Sequence, residues 1–217
     1  MDTGTDFNAL LAALAPGRFD PEGRFDRGRL SPVVMAGEGT RHLAHLLLSQ
    51  LLLRGERVIV LDGANGFDAY ALATAARRNR RAARTLLSAV RVSRAFTWQQ
   101  WLALLEREAA PEAERAGARW VLALGPLDLF ADANVKPFQA WRGARRTAEA
   151  LRVLAASDLG VIAAQDDRVL RDGARLELMD RLKSVAGHLV AVGPYAKPPS
   201  VPMPVASERQ LAFGFTE

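Results

Sequence analysis

Short runs rich in valine, isoleucine and leucine alternate along this chain with segments of helical period, and that alternation constrains it to a mainly parallel sheet flanked by helices. SPVVMAG (31–37), RVIVLDG (57–63), AVRVSRAF (89–96), ARWVLALGPLDLF (118–130) and LGVIAAQ (159–165) read as strands. Helices are predicted over 41–54 (ended by Gly55), 69–81, 84–88, 98–109 (broken at Pro111) and 138–157. LRDGARLELMDRLKSV (170–185) reads as one more helix. HLVAVGP (188–194), a Pro-rich turn and RQLAFGFTE (209–217) lack helical period and are read as strands forming an antiparallel edge of the same sheet. Residues 1–30 form a short apolar helix and a Pro/Gly-punctuated docking arm, leaving 31–217 as one core domain.

Composition removes whole classes of chemistry. With no cysteine, disulfides, thiol catalysis and Cys-ligated zinc or iron–sulfur sites are excluded. No apolar run approaches the roughly 20 residues of a membrane helix, and the opening residues are acidic before they are apolar, so a cytoplasmic protein without a membrane partner is expected. The net charge of +5 is carried almost wholly by arginine, with lysine only at 136, 183 and 197. Basic residues gather at Arg77, Arg78, Arg80, Arg81 and Arg84, at Arg142, Arg145, Arg146 and Arg152, and at Arg168, Arg171, Arg175, Arg181 and Lys183. Such clusters suit phosphates and carboxylates alike.

The turn after the first strand, in VVMAGEGTRHLAHLL (33–47), stands where a phosphate-binding loop would stand. A working loop reads G-x-x-x-x-G-K-[ST], its backbone amides cradling phosphates while lysine reaches the β and γ phosphates and the hydroxyl holds Mg²⁺. Here Gly39 takes the last glycine position, Thr40 the lysine position and Arg41 the hydroxyl position, and Gly37 lies only two residues before Gly39. Read alone, this is equally an ordinary tight strand-to-helix turn.

The order of motifs resembles the core of the RecA family of recombinases, in particular its archaeal and eukaryotic Rad branch, over residues 31–217. VIVLDGANGFDAYAL is similar to the strand and loop that in the family reads aspartate, then E-G-T-F. RVSRAFTWQQ is similar to the V-A-R-A-[FY] strand, WVLALGPLDLF to the Walker B strand, ASDLGVIAAQ, ending in Gln165, to G-V-x-V-V-x-T-N-Q, and RQLAFGFTE to the closing strand. The resemblance implies a RecA-like P-loop NTPase fold.

It also locates what is missing. Thr40 replaces the lysine, Ala64 stands at the water-activating glutamate, and Gly125 and Pro126 stand at the Walker B aspartate and serine. Phosphoryl transfer depends on positioning and charge stabilisation, so hydrolysis is not expected. No cofactor is expected either; ATP held at a helix N-terminus beside Arg41 is the alternative. Gly37, Gly39, Thr40, Arg41, Asp62 and Gln165 thus define a degenerate nucleotide site, in which Asp62 is read as capping the turn that follows it.

In the family, two loops touch DNA, and their counterparts are about 131–146 and 166–183. The first carries Lys136, Arg142, Arg145 and Arg146, the second Arg168, Arg171, Arg175, Arg181 and Lys183, interrupted by Asp166, Asp167, Asp172 and Asp180. The expectation is a non-hydrolysing accessory protein of DNA repair or recombination that binds DNA or a repair protein, or an adaptor docking a polymerase or recombinase without DNA contact. Self-association into a homo-oligomer stays open. His42 and His45, at i and i+3, are read as helix packing or solvent-exposed residues rather than a metal pair, and Trp98 and Trp101, also at i and i+3, as an amphipathic helix face buried against the sheet rather than a stacking platform.

Overall fold

The computed structural model describes residues 31–170 and 175–192. The expected N-terminal helix and arm, the Pro-rich turn, RQLAFGFTE and Arg171 lie outside the described residues.

Among the described residues six strands, β1 (Val33–Gly37), β2 (Val58–Asp62), β3 (Val90–Arg94), β4 (Trp120–Leu124), β5 (Gly160–Gln165) and β6 (His188–Val192), form one sheet in the order β3-β2-β4-β5-β1-β6. Every pairing is parallel. This corrects the antiparallel edge expected for HLVAV: Val33 lies opposite both Ile162 of β5 and His188 of β6. A helix between β5 and β6 carries the chain back to the sheet's starting end, and a short apolar run does not declare its direction.

The strands alternate side chains between two cores, as a sheet covered on both faces must. Met35, Val58, Val60, Leu122 and Ile162 pack against α1 (Thr40–Leu53), α2 (Ala69–Arg78) and α3 (Ala83–Ser88). Val34, Ile59, Leu61, Val121 and Ala163 pack against α4 (Trp98–Ala103), α5 (Ala109–Ala116), α6 (Pro137–Ala156) and α7 (Leu176–Lys183). Loops leaving β1 and β2 therefore turn to one face, and loops leaving β4 and β5 to the other. In open α/β sheets a crevice forms where such loops diverge, at the carboxyl ends of the strands.

Local sequence sets the helix ends. Asp68 caps α2 by accepting from the Tyr70 and Ala71 amides at 2.8 and 3.2 Å, and Thr97 with Gln100 closes a capping box at the start of α4. The break expected at Pro111 is absent: helix continues through a π-helical turn, Leu104–Glu108, into α5, which contains the proline. A proline cannot donate to the carbonyl four residues back, and here that carbonyl, on Arg107, belongs to the π turn, where the α-helical bonding pattern is already interrupted.

Candidate functional site: a filled crevice at the strand ends

Three strands, β1, β2 and β5, bring the expected nucleotide residues together, and the side chains of Thr40, Asp62 and Gln165 are committed to bonds within the protein itself. The turn after β1 is Gly37-Glu38-Gly39, with α1 starting directly at Thr40. Gly37 (φ 125°) and Gly39 (φ 84°) both need positive φ. A Cβ on Gly37 would overlap the Val192 carbonyl oxygen, so the backbone of β6 closes that side of the turn. Thr40 is fully buried; its hydroxyl is shared between the Gly37 carbonyl and, at 3.2 Å, the Gln165 carbonyl. The hydroxyl fastens the turn to β5.

Asp62, also fully buried, accepts from the Gly66 and Phe67 amides at 2.9 and 3.0 Å and from Arg94 Nε at 3.0 Å. It shapes the GANGF loop, as the capping reading anticipated, with an ion pair to β3 that sequence did not disclose. Arg41 reaches back over this loop: a Cβ on Gly66 would lie 2.7 Å from its Nε.

Asp128 is the residue that sequence reasoning missed. It begins a 3-10 turn, Asp128–Phe130, after β4, and its carboxyl lies over Gly125, where a Cβ would come within 2.8 Å of Oδ2. Buried Gln165 donates to Asp128 Oδ1 at 2.7 Å and to the Asp166 carbonyl at 2.9 Å, and accepts from the Leu127 amide at 2.8 Å. The available signal was an acidic residue just past a fully apolar strand, at the end of the sheet where crevices form.

Burial pushes the Asp128 carboxyl above the usual carboxylate range, against the Gln165 hydrogen bond and the charge of Arg41. Hydrogen bonds from Arg168 hold Asp166 below that range, again with help from Arg41. Arg168 also pairs with Glu38 at 3.1 Å. Three carboxylates, Glu38, Asp128 and Asp166, therefore share the crevice with Arg41 and Arg168, a balance hostile to a polyphosphate. A cleft of about 460 Å³ opens beside it, between β6 and α7, with Asp167, Glu177 and Asp180 set against Lys183. It is no better suited to phosphate.

Of the nine expected nucleic-acid contacts, the eight that lie among the described residues separate into two groups. Arg146 is bound to Glu106, at 2.5 and 2.8 Å, and Arg168 to Asp166 and Glu38. Arg175 donates to the carbonyls of Phe130, Asp132 and Val135, clamping the loop ahead of α6. Lys136, Arg142, Arg145, Arg181 and Lys183 are exposed, and none forms a salt bridge among the described residues.

His45 holds the Arg41 carbonyl through Nδ1 at 2.8 Å and accepts from the Asp68 amide through Nε2 at 3.0 Å, so both ring nitrogens serve packing. Trp101 is buried with its Nε1 donating to Thr147 at 3.1 Å, and Trp98 tilts against Phe130. Among the described residues no group of three His, Asp or Glu side chains could hold a metal ion, and no helix is long and apolar enough to cross a membrane. Over the described residues the fold is that of an α/β protein with a six-stranded, all-parallel central sheet between two helical layers. A scan against models of known protein families and a search of curated proteins find no match to this chain.

Proposed function

We propose that this protein is a RecA-like accessory factor of DNA repair or recombination that has lost phosphoryl transfer and acts by binding DNA or a repair complex. The observation that carries the reading is a division of labour among polar groups. Thr40, Asp62, Asp128 and Gln165 fill the strand-end crevice with internal bonds, while Lys136, Arg142 and Arg145 stay exposed without salt bridges at the start of α6. Three residues cannot form the wider loop that wraps a β-phosphate, and no ammonium group stands at Thr40 to meet one.

Contacts from α6 would be made to phosphates and would be sequence-independent and steeply salt-sensitive. Fluorescence anisotropy of labelled single- and double-stranded oligonucleotides against a salt series tests this. Binding that weakens linearly on a log–log plot supports the reading; no binding at the lowest salt removes it. The adaptor alternative has its own support in Tyr70 (83% exposed), in the first turn of α2, and Phe96 (70% exposed), just past the end of β3. Loss of partner capture in Tyr70→Ala and Phe96→Ala, with DNA binding absent in the parent chain, selects that alternative.

A further inference from the structure

The first two turns of α6 combine exposed cations with exposed aromatic rings, a pairing that phosphate contact alone does not require. Phe138 is 64% exposed and Trp141, three residues on, 37% exposed. On a helix these positions are neighbours, and Arg142 and Arg145 continue the same stripe at i+4 and i+7 from Phe138. The opposite face, with Ala140, Gly143, Ala144, Thr147 and Ala148, is buried against the sheet. Gly143 permits the close approach, since a Cβ there would overlap the Phe130 ring. The helix is thus fixed tightly on one side while it presents two large rings to solvent on the other.

We infer that this stripe is a stacking platform for single-stranded nucleic acid, resting on the nucleic-acid reading above and sharpening it. Every unpaired base offers an apolar face to an aromatic ring, whereas a duplex keeps those faces stacked internally. Arg181 of α7 lies over the Trp141 ring, its Cζ 5.0 Å from the centroid, which holds one face of the indole by a cation–π contact and leaves the rest of its exposed surface for a base. Lys136, Arg142 and Arg145 flank the rings and supply charge for the strand's phosphates. The acidic side chains on the neighbouring helix faces are partly engaged elsewhere: Glu106 is paired with Arg146, and Glu149 chiefly with Arg152, though its charge also reaches Arg145.

The test compares the full chain binding oligo-dT, an abasic strand of equal length and a duplex, by anisotropy at constant salt. Stacking predicts that the abasic strand, with phosphates but no bases, binds about 5- to 100-fold more weakly than oligo-dT. Phe138→Ala combined with Trp141→Ala lowers oligo-dT affinity to the abasic level, leaves abasic binding unchanged, and is reversed in part by keeping a ring, as in Trp141→Phe. Arg142→Ala with Arg145→Ala weakens all three ligands and flattens the single-strand salt slope by about 1.4. Phe138→Ala alone alters only a solvent-facing ring, so it remains informative if the double variant is unstable. Equal binding of oligo-dT and the abasic strand by the parent chain overturns the platform while leaving DNA binding intact. Absence of binding to all three overturns both.

Discussion

Gln165 donates to the Asp128 carboxyl at 2.7 Å, and this contact ties the end of β5 to the turn after β4 at the centre of the crevice. Burial favours the protonated acid at Asp128, while Asp166, one residue beyond Gln165, is held ionised by Arg168. Two neighbouring carboxyls, one bonded to Gln165 and the other carried by the residue after it, are therefore displaced in opposite directions.

The opposition gives a pH signature. Asp128, raised in the folded state, binds more protons than in the unfolded chain, so its contribution to stability falls as pH rises from the usual carboxylate range through its raised value. Asp166, depressed when folded, contributes stability at neutral pH that is lost as pH falls through its lowered value. In thermal melts, Asp128→Asn is expected to match or exceed the parent at pH 7 and to lose its advantage on acidification. Asp166→Asn is expected to cost about 1 kcal/mol at pH 7, or about 2–4 °C, because Arg168 is half exposed, and to converge with the parent at low pH.

The strand–helix alternation was legible because burial on both faces writes each central strand as a continuous apolar run; VIVLD and VLAL admit few other readings. The direction of β6 was not legible, since parallel and antiparallel pairing demand the same apolar residues at an edge. The fate of the arginines was equally hidden. Arg142 and Arg175 look alike as letters, but one faces solvent and the other binds three carbonyls on a loop some 40 residues earlier. Asp128 carries no motif of its own: the Walker B pattern bears on Gly125, and only the 3-10 turn that follows β4 folds the carboxyl back over that glycine.

Restoring the missing lysine is not expected to restore a nucleotide site. Thr40 is fully buried and bonded to β5, so Thr40→Lys places an ammonium group in a space that cannot hold it, at a cost of about 3–5 kcal/mol. Differential scanning fluorimetry with and without Mg·ATP checks both parts. The variant should melt well below the parent, and nucleotide should shift neither protein. A rise in melting temperature with Mg·ATP in either would contradict the filled-crevice account.

Three glycines should respond differently to one added methyl group. Gly39→Ala meets only a Val192 side-chain carbon at 4.0 Å, so its cost is that of positive φ, about 1–2 kcal/mol. Gly37→Ala adds a collision with the β6 backbone and should cost more, with hydrogen exchange accelerated selectively in 188–192. Gly143→Ala gains about 1 kcal/mol of helix propensity yet should still destabilise, because the methyl group falls on the buried Phe130 ring. Urea denaturation ranks the three, and a Gly143→Ala variant more stable than the parent would contradict the close approach of α6 to Phe130.

Arg175 supplies the sharpest separation between structural and binding cations. Its guanidinium joins the Phe130, Asp132 and Val135 carbonyls, so Arg175→Ala leaves the loop before α6 without its clamp and should cost about 2 kcal/mol. Arg175→Lys should recover little, since one ammonium group cannot reproduce a planar fork of donors directed at separate oxygens. Arg142→Ala and Arg145→Ala, at exposed positions without salt bridges, should change stability by no more than about 0.5 kcal/mol. Chemical denaturation with limited proteolysis across 130–136 measures both effects: early cleavage is expected in the two Arg175 variants alone. Any loss of DNA affinity in those variants would then come from a loosened loop, whereas in the Arg142 and Arg145 variants it would come from missing phosphate contacts in an intact fold.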